Sequence, residues 1–300
     1  INSLMNNFTF YFRRVLADSF YPVLKTGIGV GSAFEGWSPR EQDVECICER
    51  EEQGSNTLCF LHHTEEELSN QDPSLLDTLC TDSYLDVQKT ARWFCQLVRA
   101  IWPGVPQAHN WHLVMLPSRR CCQFKVSNGR ESFRIEMLCG VLLANTDVFV
   151  SSQPRHCYAS TPIWPETYAV AELKFLNYVA WRAPHDSLHL KCLQFFTRLQ
   201  LGLGFSTYIT KTIVMHLLNC LPVSAWRRKH FVRRLLDISE NLRKCIEMRC
   251  LNQLIVGNQR LPEGIVLPPH VLKSSKYNLF HDLVRDPAAH AQAMSQYEDL

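Results

Sequence analysis

Four glycines fall within the ten residues Gly27-Ile28-Gly29-Val30-Gly31-Ser32-Ala33-Phe34-Glu35-Gly36, and Ser32 follows the third. This stretch constrains the chain more than any other. Glycine backbones approach their neighbours closely and adopt positive φ at little steric cost. Two readings are open. In one, the stretch is a tight turn with no ligand, and by itself it reads more readily this way. In the other, successive N–H groups form a concavity for an anion. Gly31 and Ser32 then hold the triphosphate of a nucleotide, ahead of strands that carry carboxylates.

Nucleotidyl transfer needs two carboxylates close together on one strand and a third on a neighbouring strand, where they bridge paired divalent metals. The acids after the loop are Glu41, Asp43, Glu45 and Glu49. Asp43-x-Glu45 has the spacing that puts two carboxylates on one face of a strand. Glu136, in the strand-like run 132–143, is the candidate third. The simpler reading makes all three ordinary surface acids on half-exposed strands. Mg²⁺ or Mn²⁺ is expected only if the chain is an enzyme, and no other cofactor is expected. Hydrolytic chemistry has less support. Ser32 lacks the G-x-S-x-G elbow, and no cysteine or histidine falls in a recognisable catalytic motif.

The 300 residues are 46% hydrophobic and 20% charged, which predicts one large or two smaller domains with a sizeable core. A net charge of +2 is too small to imply nucleic-acid binding through bulk charge. The 13 cysteines are odd in number and lie in apolar surroundings, with no C-x-x-C. They predict reduced, buried thiols in a cytosolic setting. Cys46-x-Cys48, Cys121-Cys122 and His62-His63 lack the paired spacing of a closed zinc site. No run of about 18 apolar residues occurs. A chain beginning on Ile1 is read as part of a longer product, with any targeting segment upstream.

Apolar periodicity predicts an amphipathic helix over 8–21, on Phe8, Tyr11, Phe12, Val15, Leu16 and Phe20. Strands follow over 44–50 and 56–63, and Glu65-Glu66-Glu67 reads as a solvated helix start. A helix over 84–102 is capped by Asp82 or Ser83. Further strands run over 111–116, 121–126, 132–143 and 147–151, with a hairpin turn at Asn128-Gly129. Phe133, Ile135 and Met137 share one face of their strand; Arg134, Glu136 and Leu138 share the other. Residues 152–165 hold three prolines and read as a linker. Helices then follow over 166–183, 187–201, 207–220 and 225–254, with short ones over 277–285 and 287–300. The fold class is α+β: a mixed-sheet lobe over 1–160, then an all-helical lobe over 166–300.

The run Trp226-Arg227-Arg228-Lys229-His230-Phe231-Val232-Arg233-Arg234 is the densest positive stretch. Arg227, Arg228, Arg233 and Arg234 are candidate anion ligands for inositol phosphates or lipid headgroups. The simpler reading, and the preferred one, is a solvated helix face, because Asp237 and Glu240 follow at once.

The strings GSAFEGW (31–37) and LLDTLCTDSYLDVQKTARWF (75–94) resemble the inositol trisphosphate receptor-interacting protein-like family. The run HLKCLQFFTRLQLGLGFSTYITKTIVMHLL (189–218), with Tyr208, Lys211 and Thr212, and the run FVRRLLDISENLRKCIEMRCLNQLIVGNQRL (231–261) resemble the wider male-abnormal family. The fold of that family is similar to that of cyclic GMP-AMP synthase. The resemblance implies a nucleotidyltransferase-like lobe followed by a helix-hairpin-helix-like lobe. It also implies a single-pass membrane protein, anchored by an upstream segment, with this domain on the cytosolic side. Its implied partners are the inositol trisphosphate receptor or immune-receptor components. Two departures from the family pattern stand out. The passage between Trp37 and Glu45 is short, which predicts an exposed sheet edge or disturbed pairing after residue 43 and makes Asp43-x-Glu45 a product of the junction. The clustered Cys/His insertion that binds zinc and DNA in cyclic GMP-AMP synthase is missing, so no nucleic-acid partner is implied. The reading is a non-catalytic nucleotidyltransferase-fold module acting through protein contacts. The alternatives are an active Mg²⁺- or Mn²⁺-dependent nucleotidyltransferase, and a binder of inositol phosphates or phosphoinositides.

Overall fold

The computed structural model describes residues 2–16, 19, 21, 24–40, 42–50, 64–70, 74–82, 84–152 and 163–300. The chain divides into two compact units. The first comprises Ile1–Phe34 and Gln42–Val170, and the second Glu35–Glu41 and Ala171–Leu300. The strand expected over 56–63 and most of the linker expected over 152–165 lie outside the described residues. So does Ser83, one of the two expected helix caps.

In the first unit α1 (Asn2–Leu16) leads into β1 (Leu24–Val30), α2 (Gly31–Glu35) and β2 (Asp43–Arg50). Two short helices follow, α3 (Glu65–Ser69) and α4 (Leu75–Leu79), then the two-stranded ladder β3 (Cys80–Thr81) and β4 (Tyr84–Leu85). Next come α5 (Val87–Ile101), β5 (His112–Leu116), β6 (Cys122–Ser127), β7 (Ser132–Leu142), β8 (Phe149–Ser151) and β9 (Glu166–Thr167). Among the described residues, seven strands form one sheet in the order β1-β2-β7-β6-β5, with β8 on β7 and β9 on β8. The β2–β7 pair is parallel and the other pairs in this sheet are antiparallel. The fold is therefore α+β with a mixed sheet. β2 begins at Asp43 and pairs with β7 without a break from Asp43 to Glu49.

Alternation along the strands sorts their side chains onto two faces. One face carries Val44, Cys46 and Cys48 of β2, Cys122, Phe124 and Val126 of β6, and Ile135, Met137 and Cys139 of β7. α1 and α5 cover this face with Phe8, Phe12, Phe94 and Val98, among others. On the other face Val30, Ile47, Cys121, Leu138, Phe149 and Val170 form a smaller cluster. β7 is thus buried on both sides along its middle. It passes so close to β2 that a methyl group on Gly140 would lie 2.6 Å from Ile47 Cγ2. α1 starts earlier than the periodicity predicts, because Leu4 and Met5 extend its buried stripe.

The helix expected over 84–102 begins at Val87. Its cap is Asp86, whose carboxylate accepts from the backbone N–H groups of Gln88 and Lys89 at 2.8 and 3.0 Å. Asp82, the other expected cap, instead takes a positive φ of 49° in the β3–β4 turn, which a short polar side chain tolerates. Asp86→Ala leaves those N–H groups without a partner. Chemical denaturation of this variant is expected to show a loss of about 1 kcal/mol.

The second unit is helical: α6 (Ala169–Arg182, entering this unit at Ala171), α7 (His189–Leu199), α8 (Thr207–Cys220), α9 (Phe231–Glu247), α10 (Pro269–Lys273), α11 (His281–Arg285) and α12 (Pro287–Glu298). α8 has the predicted limits. Ser206 caps it by accepting from Tyr208 N–H. Residues 210–215 are buried in succession, so α8 is packed on all sides. α9 buries Ile238, Leu242 and Ile246 at four-residue spacing. Trp37, Phe175, Phe196, Trp226 and Phe280 complete this core.

α9 is shorter than the range 225–254 expected for one or two helices, for two reasons. Two 3₁₀ turns, Val223–Trp226 and Arg228–His230, occupy the first part of that range. At the other end Arg249 adopts a positive φ of 51° just after the helix. The helix expected over 277–285 begins only at His281. Tyr277, Asn278 and Leu279 instead bond to the 251–253 segment, through backbone contacts and the Asn252–Asn278 bridge. Among the described residues no helix is long and apolar enough to cross a membrane.

Candidate functional site

The glycine stretch ends β1 and opens α2. Gly31 has φ of +76°, the left-handed conformation that glycine allows. A methyl group there would lie 2.8 Å from Glu45 Oε2. The Glu45 carboxylate therefore rests against the loop. Asp43 and Glu45 share a face of β2, and the register sets Glu45 beside Glu136 and Asp43 beside Arg134. Continuing onto β6, Glu136 faces Gln123 and Arg134 faces Lys125. Two polar rows thus cross three strands, Glu45–Glu136–Gln123 and Asp43–Arg134–Lys125.

Glu136 is held in its row. Gln123 Nε2 donates to Glu136 Oε2 at 2.8 Å, and an Arg134 Nη2 donates to Gln123 Oε1 at 3.1 Å. Cys121 approaches the same carboxylate. Burial, followed by the Glu136 charge, pushes the Cys121 thiol up to about 12, so it stays protonated. Ser118 Oγ lies 2.9 Å from the Cys121 sulfur.

A pair of divalent ions needs several carboxylates converging on a shared centre. Among the described residues no three Asp, Glu, His or Cys side chains are grouped so as to hold a metal ion. Arg134 already supplies a cation in the adjoining row. The described residues do not fit a two-metal centre.

The basic run is partly neutralised within its own unit. Arg227 pairs with Asp186 at 3.6 Å; Arg233 and Arg234 pair with Asp237 at 3.1 and 2.6 Å. Arg234 also lies over the Trp226 ring, 5.9 Å from its centroid. Arg228 and Lys229 sit exposed on a 3₁₀ turn.

Sequence reasoning missed the most tightly bonded polar group, which lies inside the second unit. Lys211 of α8 is buried, and its Nζ donates to Glu35 Oε1 at 2.6 Å and to Glu172 Oε2 at 2.7 Å. Trp37 Nε1 donates to Glu35 Oε2 at 2.6 Å. Tyr208 Oη and Gln253 Nε2 donate to Glu172 Oε1 at 2.6 and 3.0 Å. Gln253 Oε1 in turn accepts from Ile255 and Val256 N–H. All four carboxylate oxygens are bonded. Burial opposes the Lys211 charge, but Glu172 and Glu35 outweigh it and hold the ammonium above the usual lysine value. Burial, then Glu172, pushes the Tyr208 hydroxyl well up, which keeps it a donor. With every group engaged, the cluster fixes structure and offers no free group for a reaction. Its signal in the sequence is a lysine between Thr210 and Thr212, in a helix with no polar face.

The rat (Rattus norvegicus) inositol 1,4,5-trisphosphate receptor-interacting protein-like 1 is 31% identical over 330 residues, covering 93% of this chain and 60% of the rat protein. The mouse (Mus musculus) protein of the same name is 35% identical over 272 residues, covering 86% of this chain and 50% of the mouse protein. The chain belongs to the inositol 1,4,5-trisphosphate receptor-interacting protein family. The human (Homo sapiens) inositol 1,4,5-trisphosphate receptor-interacting protein is a more distant relative, 27% identical over 273 residues, with 86% of this chain and 50% of the human protein covered. No protein-family model matches the chain. The chain spans about half to three-fifths of the length of these curated relatives. The described part of the chain thus contains a glycine-rich loop, an acid-bearing mixed sheet and a buried lysine cluster.

Proposed function

We propose that this chain is the non-catalytic, nucleotidyltransferase-fold module of a single-pass membrane protein. It stands on the cytosolic side and acts by protein contact, with the inositol 1,4,5-trisphosphate receptor as its partner. The relatives' names support receptor interaction. A Gly31-Ser32 loop leading to acid-bearing strands of a mixed sheet supports the nucleotidyltransferase kinship. The non-catalytic reading rests on one observation: the acids lie in cross-strand rows with Gln123, Arg134 and Lys125 instead of converging on a metal position. The Glu45 carboxylate at Gly31 opposes an incoming triphosphate by like charge.

The test is calorimetric titration of the chain into the purified cytosolic portion of the receptor. Saturable binding is expected, unchanged in Glu136→Gln and Ser32→Ala, because neither change disturbs a contact surface built elsewhere. Absence of binding contradicts the receptor-contact reading. Binding that requires Glu136 contradicts the claim that the acidic rows play no part.

A further inference from the structure

α1 and α5 lie side by side on one face of the mixed sheet, and their ring contacts set them antiparallel. Phe12 meets Phe94 with centroids 5.4 Å apart, and Phe8 meets Trp102 at 6.0 Å. The sides of the two helices turned away from the sheet form one outer surface. On α1 it carries Phe10, Arg13 and Arg14, opposite the buried stripe of Leu4, Phe8 and Phe12. On α5 it carries Arg92, Gln96 and Arg99, which helical spacing aligns in one row. All of these outer residues are exposed. Phe10 is 60% exposed, with its ring edge-on to Tyr11. The charge of this surface is one-sided. Neither helix contains an Asp or Glu, although the whole chain balances 31 Lys and Arg against 29 Asp and Glu. The remaining cation of α5, Lys89, donates to the carbonyls of Asp77 and Cys80. The acids Asp77, Asp82 and Asp86 lie there, at the N-terminal end of α5.

We propose that the outer surface of α1 and α5 docks on an anionic phospholipid bilayer, with Arg13, Arg14, Arg92 and Arg99 on lipid phosphates and Phe10 entering the headgroup layer. Charge complementarity carries the assignment. The planar fork of a guanidinium fits two phosphate oxygens. No carboxylate on either helix competes with those phosphates for the arginines. An apolar side chain among arginines is the pattern of a helix that lies in the plane of a membrane surface. Phe10 takes no part in the stripe that packs on the sheet, so its exposure is not a by-product of the core. The basic run of the second unit differs in this respect: Arg227, Arg233 and Arg234 already pair with Asp186 and Asp237.

A nucleic-acid duplex also presents phosphates, but it offers Phe10 no apolar layer to enter, whereas a bilayer engages the arginines and the ring together. The proposal takes its membrane setting from the function proposed above and needs nothing of the receptor contact. Vesicles free of receptor therefore test it alone, and a failure there leaves receptor binding standing.

The test is co-sedimentation of the full chain with large unilamellar vesicles, either of phosphatidylcholine alone or of an equimolar mixture of phosphatidylcholine and phosphatidylserine. Binding is expected to the mixed vesicles only, and to weaken as salt is raised. Reversing Arg14, Arg92 and Arg99 together to Glu is expected to lower the partition coefficient on the order of a hundredfold or more, at roughly fivefold for each arginine lost from an anionic surface. Phe10→Ala is expected to lower it by roughly threefold to tenfold. Should the triple reversal unfold the chain, Arg14→Gln with Arg92→Gln serves instead, with an expected loss of about twentyfold. Arg228→Glu with Lys229→Glu, in the second unit, is expected to leave binding unchanged. Equal binding to phosphatidylcholine alone overturns the proposal, as does binding that survives the arginine changes or is lost with Arg228 and Lys229. Tighter binding to a DNA duplex than to the mixed vesicles overturns the choice of lipid.

Discussion

Lys211→Met is expected to lower the unfolding free energy by about 3–5 kcal/mol in urea denaturation. The cause is not the loss of one attraction. Glu35 and Glu172 are both buried, and removing the ammonium leaves two carboxylates facing each other without a counter-charge. The remaining donors, from Trp37, Tyr208 and Gln253, are neutral and do not cancel that charge. One control separates this account from a simple packing loss. Adding Glu35→Gln and Glu172→Gln to Lys211→Met is expected to recover much of the stability, because an uncharged cluster no longer carries a buried charge. The Lys211 ammonium sits above its unfolded value, so its stabilisation is fully present below the unfolded value near 10.4 and is lost only as pH rises through the folded one. A stability profile from roughly pH 5 to 9 should therefore show no step from Lys211.

Phe8→Ala is expected to cost the first unit about 3–5 kcal/mol, the range for emptying a fully buried aromatic site. Phe8 is completely buried and meets the rings of Phe12, Trp102 and Phe124 with centroids 5.8, 6.0 and 5.7 Å away. Those rings come from α1, from the turn after α5 and from β6, so no single element can shift to refill the space. Phe10→Ala, on the exposed side of the same helix, is expected to change stability by less than about 0.5 kcal/mol. Equal losses in the two variants would mean that α1 does not pack on the sheet as described.

Much of this fold is legible in the sequence where one face of an element is buried and the other is not. β6 alternates cleanly, and Asn128-Gly129 marks the hairpin to β7 as expected; Asn128 Oδ1 accepts from the N–H groups of Arg130 and Glu131 there. Helix ends were harder to place. Asp86 and Asp82 are equally good caps by residue type, and only the β3–β4 ladder shows which one lies at the helix start. The start of α9 was obscured because the apolar pattern runs unbroken through two 3₁₀ turns.

The site divides in the same way. Strand alternation correctly put Asp43 with Glu45, and Arg134 with Glu136, each pair on one face. Spacing along one strand says nothing about its neighbour, so the rows pairing Glu136 with Gln123 and Asp43 with Arg134 had no signature. The Lys211 cluster joins residues 35, 172, 208, 211 and 253, and no local pattern links positions so far apart in sequence.

The most direct measurement of the central claim is a thermal-shift titration of the chain with ATP or GTP in the presence of Mg²⁺ or Mn²⁺. The account predicts no shift at any nucleotide concentration, because Glu45 opposes anions at Gly31 and the acids of β2 and β7 do not gather around a metal position. A metal-dependent stabilisation that disappears in Gly31→Arg would contradict it and would make the glycine loop a working nucleotide site.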